Sequence, residues 1–120
     1  MAKEAPQKLK DLQKLVVKFR DARDWKRFHN PKDMALSLVL EAAEVLEHFQ
    51  WKNGKVMNAH VLKNKSKIGD ELSDVLYWVF LMASDLKIDL PKVFVDKMKE
   101  NDQKYPVAKA KGRSTKYTDL

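Results

Sequence analysis

The sequence contains no cysteine, only three glycines and four prolines, and no apolar run near the length of a membrane span. Each scarcity excludes something. Without cysteine there is neither a disulfide framework nor a thiolate metal site, and a reducing compartment suits the chain. Sparse glycine and proline leave few points at which a helix must stop. A membrane helix needs about 20 consecutive apolar residues, and the opening MAKEAPQKLK lacks the apolar segment of a secretion signal. The expectation is a cytoplasmic protein of one domain over residues 1–120, with no membrane partner.

Charge is what the chain has in quantity. A formal net charge of +7 suggests a polyanionic partner, either nucleic acid or something smaller and phosphorylated. Its distribution says more than its total. Residues 52–67 carry five lysines and no acid, and residues 104–120 hold four lysines and one arginine against Asp119. Residues 32–51 and 68–103 are net acidic. A nucleic-acid binder usually presents one basic stripe, whereas here acidic helices alternate with basic connections.

Leu9, Leu12, Leu15, Val16 and Phe19 recur at helical spacing and predict a first helix over about residues 7–28. Asn30-Pro31 reads as an N-cap followed by proline at the first helical position. The second helix is expected to run to about Trp51 and stop at Asn53-Gly54. Residues 55–65 read as loop or a short helical turn, with Ser66 capping a third helix through ELSDVLYWVFLMASDL. Asp89-Leu90-Pro91 opens a fourth, ended by Tyr105-Pro106, and residues 107–120 form a basic C-terminal tail, of which AKAKGRSTKYTDL is expected to be extended or mobile. The fold class is all-α, with a four-helix bundle-like protomer. Helices two and three are apolar around most of their circumference. Val39, Leu40, Leu46, Val75, Val79 and Phe80 cannot all face one small core, so a homo-oligomer is expected.

The exceptions on those apolar helices carry the chemistry. At about 100° per residue, Ser37, Glu41, Glu44 and His48 fall on one narrow stripe of helix two. Lys67, Glu71, Asp74 and Trp78 share a face of helix three. Face-to-face packing would bring two pairs of carboxylates together. Such a cluster repels itself and resists desolvation unless something neutralises it. Hard divalent cations with oxygen ligands do so, and Mg²⁺ suits sites that also hold phosphates. Mn²⁺ is an alternative ion. Glu47 lies about 60° from Glu44 and reads equally as a solvated charge, and His48 reads as a rim or buried histidine rather than a ligand. A di-iron bundle would want Glu-x-x-His pairs, and none is present.

Glu41-x-x-Glu44 followed by Glu71-x-x-Asp74 across a basic stretch resembles the metal-binding pattern of the all-α, MazG-like nucleoside triphosphate pyrophosphohydrolases. The resemblance extends through RDWKRFHNP (23–31), EHFQW (47–51), DELSDVLYW (70–78), DLPKVFVDKM (89–98), KYP (104–106) and KYTDL (116–120), and is to the dCTP pyrophosphatase branch. It implies hydrolysis of a dNTP, dCTP or a modified dCTP, to dNMP and pyrophosphate with Mg²⁺, as a house-cleaning activity on the nucleotide pool. Glu41, Glu44, Glu71 and Asp74 would hold metal, one of them orienting the attacking water. Trp25, His29, Trp51 and Trp78 would hold the base, and Lys97, Asn101, Lys104 and Lys116 the phosphates. The resemblance also implies a tetramer built as a dimer of dimers, with sites near subunit boundaries. One position departs from the pattern: Val16 stands where mammalian members carry a histidine in the base pocket, which weakens the expectation of cytosine selection.

Two other function classes compete. A basic helical nucleic-acid-binding or toxin–antitoxin-type interaction module would gather lysines on a helix face without buried acids, the reverse of the pattern here. A purely structural bundle leaves both carboxylate pairs without a purpose. A small-molecule nucleotide, rather than nucleic acid, is the expected partner.

Overall fold

The computed structural model describes residues 8–120, and among them every regular element is helical. The elements are α1 (Leu9–Asp21), α2 (Pro31–Glu47), α3 (Gly54–Asp85), α4 (Leu90–Lys104) and the one-turn α5 (Val107–Ala110), with 3₁₀ turns at Lys26–Phe28 and Tyr117–Asp119. The all-α expectation holds. No helix among the described residues is long and apolar enough to cross a membrane. The chain divides into a first compact unit ending at Lys87 and a second over Ile88–Leu120.

In the first unit α3 packs against both α1 and α2. The fully buried residues among those described are few: Met34 from α2, Phe80, Leu81 and Ala83 from α3, and Arg20 from α1. Arg20 is buried because Asp85 receives it. Its Nη1 and Nη2 donate to the two Asp85 carboxylate oxygens at 2.7 and 2.9 Å, fastening the end of α1 to the end of α3. This fork geometry holds Asp85 below the usual carboxylate range and raises Arg20. Gln13 adds a hydrogen bond from Nε2 to the Phe80 carbonyl at 3.1 Å.

Local capping follows the sequence where the cap is a side chain. Asn30 accepts from the Asp33 N–H at 2.9 Å with Pro31 at the first position of α2. Asp89 accepts from the Lys92 N–H at 3.4 Å at the start of α4. Elsewhere the boundaries differ. The expected helix over residues 7–28 stops at Asp21, because Asp24 turns left-handed (φ 54°) and the chain re-enters a separate 3₁₀ turn. Of that span, residue 7 lies outside the described residues. The second helix ends at Glu47 rather than near Trp51, which itself sits at φ 67°.

The largest correction concerns residues 55–65, which are neither loop nor a short turn. They form the first part of α3, continuous with the rest except for a kink where Asn64 takes φ −115°, ψ 21°. Ser66 therefore caps nothing; Asn53 is the residue ahead of the first turn. In the second unit the tail is not extended throughout. It folds into α5 and a closing 3₁₀ turn, where the Tyr105 and Tyr117 rings meet edge to face at 5.8 Å.

The outward faces are apolar. Val39, Leu40 and Leu46 on α2 are each about two-thirds exposed, whereas Phe80 is in the core.

Candidate active site

Helical spacing brings Glu41 and Glu44 round to one side of α2, and the pairing of α2 with α3 sets Asp74 opposite them. One oxygen from each of Glu41, Glu44 and Asp74 lies within 4.8 Å of the others. Glu44 and Asp74 are exposed and Glu41 is half-buried. Burial pushes the Glu41 carboxyl above its ordinary range, and the negative charges of Glu44, Asp74 and Glu71 push it further. Its Oε2 is buried without a hydrogen-bond partner. A buried carboxylate oxygen with no donor, facing two more carboxylates, is the donor set a hard divalent cation satisfies.

Glu71, the fourth carboxylate of the sequence pattern, stands apart from that trio. Its Oε2 lies 2.5 Å from His48 Nε2, in a contact too bent to be a well-formed hydrogen bond, and it has no other partner. His48 thus serves Glu71 rather than joining the acidic cluster, in keeping with its expected place at the rim.

Glu41 and Asp74 also line a cavity of about 520 Å³, together with Phe19, Trp25, His29, Tyr77 and Trp78. One wall is acidic and the remainder aromatic. Phe19 stands edge-on to Trp25 (5.8 Å between centroids) and Tyr77 (6.2 Å), and Trp78 stands edge-on to Tyr77 and His29 (both 5.2 Å). The Arg23 guanidinium covers the Phe19 ring at 3.8 Å. Burial lowers the His29 pKa, and the nearby Arg20 charge lowers it further, so its imidazole is neutral at pH 7. His29 Nδ1 is buried and has no partner. An orphan ring nitrogen in an aromatic cavity is a ready contact for the polar edge of a planar ligand.

Of the four residues expected at a base, Trp25, His29 and Trp78 line this cavity and Trp51 does not; it is 91% exposed. Phe19 and Tyr77 were not singled out by sequence, since their aromatic character alone is equally a core signal. Val16 lines a separate apolar groove of about 220 Å³ with Leu15, Phe19 and Tyr77. Lys97, Asn101, Lys104 and Lys116 belong to the second unit. There Lys97 and Lys104 both pair with Glu100, at 3.3 and 2.9 Å, and Asn101 Nδ2 approaches Met98 Sδ at 3.9 Å.

Residues 36–120 match the model of the MazG-like family. The chain is 39% identical over 114 residues to dCTP pyrophosphatase 1 of Rattus norvegicus, covering 93% of this chain and 67% of the relative. It is 36% identical to dCTP pyrophosphatase 1 of Homo sapiens over the same shares. Among solved structures, a pyrophosphatase from Archaeoglobus fulgidus superposes with a TM-score of 0.77 at 29% identity, covering 88% of this chain and 99% of that one.

Proposed function

The chain belongs to the MazG-like family and is a nucleoside triphosphate pyrophosphohydrolase, and we propose that it cleaves dNTPs between the α- and β-phosphates in a Mg²⁺-dependent reaction. The observation that carries this reading is that Glu41 and Asp74 line the same cavity as Trp25, His29 and Trp78. A nucleotide needs both halves at once. Aromatic faces and a neutral ring nitrogen suit its base, and its phosphates, which acidic residues alone repel, require a cation as counter-charge. The kinship with dCTP pyrophosphatases makes dCTP or a modified dCTP the proposed substrate, and removal of such nucleotides from the pool the proposed role.

Glu41, Glu44 and Asp74 would hold the cation, with Glu71 as a fourth ligand. When bound, the ion supplies charge neutralisation at the phosphates. The protein positions the base and orients a water toward the α-phosphorus. The water oxygen bonds to that phosphorus and the bond to the bridging oxygen breaks. Pyrophosphate leaves, and a carboxylate of the cluster takes the water proton. For the phosphate oxygens we keep Lys97, Asn101, Lys104 and Lys116 as proposed contacts, from whichever copy of the chain supplies them. The exposed Val39, Leu40 and Leu46 and the outward Trp51 support a homo-oligomer, proposed as a dimer of dimers.

Incubation with each dNTP and Mg²⁺ in heavy-oxygen water tests the reaction. Pyrophosphate should be released, with label on the monophosphate, and Glu41→Gln or Asp74→Asn should lower the rate by several orders of magnitude. Label in the pyrophosphate, or full activity in both variants, overturns the reading.

A further inference from the structure

A chain of four polar side chains runs through the first unit, joining the end of α2 to the kink of α3. Asn64 Nδ2 approaches the His60 carbonyl oxygen at 3.0 Å and His60 Nδ1 at 3.2 Å. His60 Nε2 lies 2.9 Å from His48 Nδ1, and His48 Nε2 lies 2.5 Å from Glu71 Oε2. The imidazoles of His48 and His60 are tilted at 48° to one another. None of His48, His60 and Asn64 lines the cavity.

The chemistry of the groups fixes the direction of every link. An amide nitrogen only donates, and the contact with the His60 carbonyl confirms that Asn64 presents its nitrogen there. His60 Nδ1 must then accept, which leaves its ring proton on Nε2. That proton points to His48, so His48 Nδ1 accepts and its own proton is on Nε2. That nitrogen lies against Glu71 Oε2 in a close contact rather than a formed hydrogen bond, and the oxygen is buried. Three side chains, Asn64, His60 and His48, thus present their donors in one direction, toward a carboxylate. Desolvation lowers the His60 pKa, which favours its neutral ring.

The kink belongs to the same device. Asn64 leaves helical geometry where its side chain turns back onto His60. In doing so it holds both the carbonyl and the ring of the residue one turn earlier.

We propose that His48 is a positioning residue for Glu71, its tautomer and ring plane set by His60 and the Asn64 kink. This rests on the reading of Glu71 as a metal ligand. A carboxylate whose buried oxygen is held against an imidazole nitrogen is restricted in how it can turn, and its other oxygen is the one left to face Glu41, Glu44 and Asp74. Partners that orient a metal ligand in this way are typically worth about 10–100-fold in metal affinity or activity.

Mn²⁺ binding to the full-length protein without nucleotide, followed by titration calorimetry, tests this directly. His48→Leu should weaken Mn²⁺ at least about tenfold, whereas His48→Gln, which keeps an N–H near the Nε2 position, should stay within about threefold of the parent. His60→Leu should fall between them. Equal losses in His48→Leu and His48→Gln, or no loss in either, overturn the proposal. Glu71→Gln separates it from the reading beneath: if that variant binds Mn²⁺ as the parent does, Glu71 is not a ligand. If Glu71→Gln weakens binding and His48→Leu does not, the positioning role alone fails. Nitrogen NMR of the metal-free protein gives a readout independent of the metal. Both histidines should show the proton on Nε2 and a bare Nδ1, and a protonated Nδ1 at either one overturns the chain of donors.

Discussion

Replacing Glu41 with glutamine should make the metal-free protein more stable while removing most of what Mg²⁺ adds. Glu41 has carboxylate oxygens of Glu44 and Asp74 within 4.8 Å. At that separation two unit charges repel by about 0.9 kcal/mol in water and about 3.5 kcal/mol at an effective dielectric of 20. Glu44 and Asp74 are exposed, so the low figure applies, and the two pairs together come to about 2 kcal/mol. Desolvation of Glu41 acts in the same direction.

For a chain of this size that corresponds to a rise in Tm of about 6–12 °C in EDTA. In the parent, Mg²⁺ at a hundredfold excess over its Kd stabilises by about 2.7 kcal/mol, a gain the variant should largely forgo. The pH dependence follows from the sign of the shift. The folded pKa of Glu41 is raised, so ionisation opposes folding, and metal-free stability should decline as pH climbs past the ordinary carboxylate range. Glu41→Gln should flatten that decline. Thermal unfolding followed by circular dichroism, with EDTA and with saturating Mg²⁺, checks all three effects. A variant no more stable than the parent in EDTA, or one that keeps the full Mg²⁺ shift, refutes the proposed crowding of charge.

Two further outcomes follow. Asp85→Ala strands the buried Arg20 guanidinium and should cost about 3–5 kcal/mol in chemical denaturation; because the folded Asp85 pKa is depressed, the pair's contribution is complete above the ordinary aspartate range and should disappear as pH falls through the lower folded value. If Trp51 acts in a neighbouring copy, mixing inactive Trp51→Ala with inactive Glu41→Gln should restore activity and sedimentation should show a tetramer, whereas the 14.0 kDa monomer at micromolar concentration excludes it.

Where the chemistry was local, the sequence was readable. Asn30 and Asp89 cap their helices with their own side chains, and such contacts span three residues. The Glu41, Glu44 and Asp74 convergence was legible because helical periodicity places each on a face before any packing is known. The break after Asp21 was not, since a left-handed Asp24 carries no glycine to announce it. Residues 55–65 misled for a different reason. Their lysines and asparagines obscure the apolar period, yet the stretch is helical and reaches back to α2 through His60. The pairing of His48 with Glu71 spans 23 positions and exists only once α2 and α3 are packed. Periodicity placed both residues on their helices, but not the turn of the Glu71 carboxylate toward the histidine.

The two halves of the cavity differ in charge, and the difference constrains how a nucleotide enters. In the aromatic half the buried Arg20 is paired with Asp85, and the His29 pKa is lowered. On the proposed function that half would hold a base by stacking and by one unpartnered ring nitrogen. The acidic half is worse than neutral toward phosphate, because Glu41, Glu44 and Asp74 repel it at close range. The net charge of +7 attracts a polyanion from a distance, but interactions beyond about 8 Å are screened at physiological salt and cannot reverse that repulsion. On the proposed function, the cation must therefore accompany or precede the triphosphate, so it is a condition of productive binding as well as of bond cleavage. A nucleoside without phosphates escapes the condition. It meets only the aromatic half, and its occupancy of the cavity has no reason to depend on the ion.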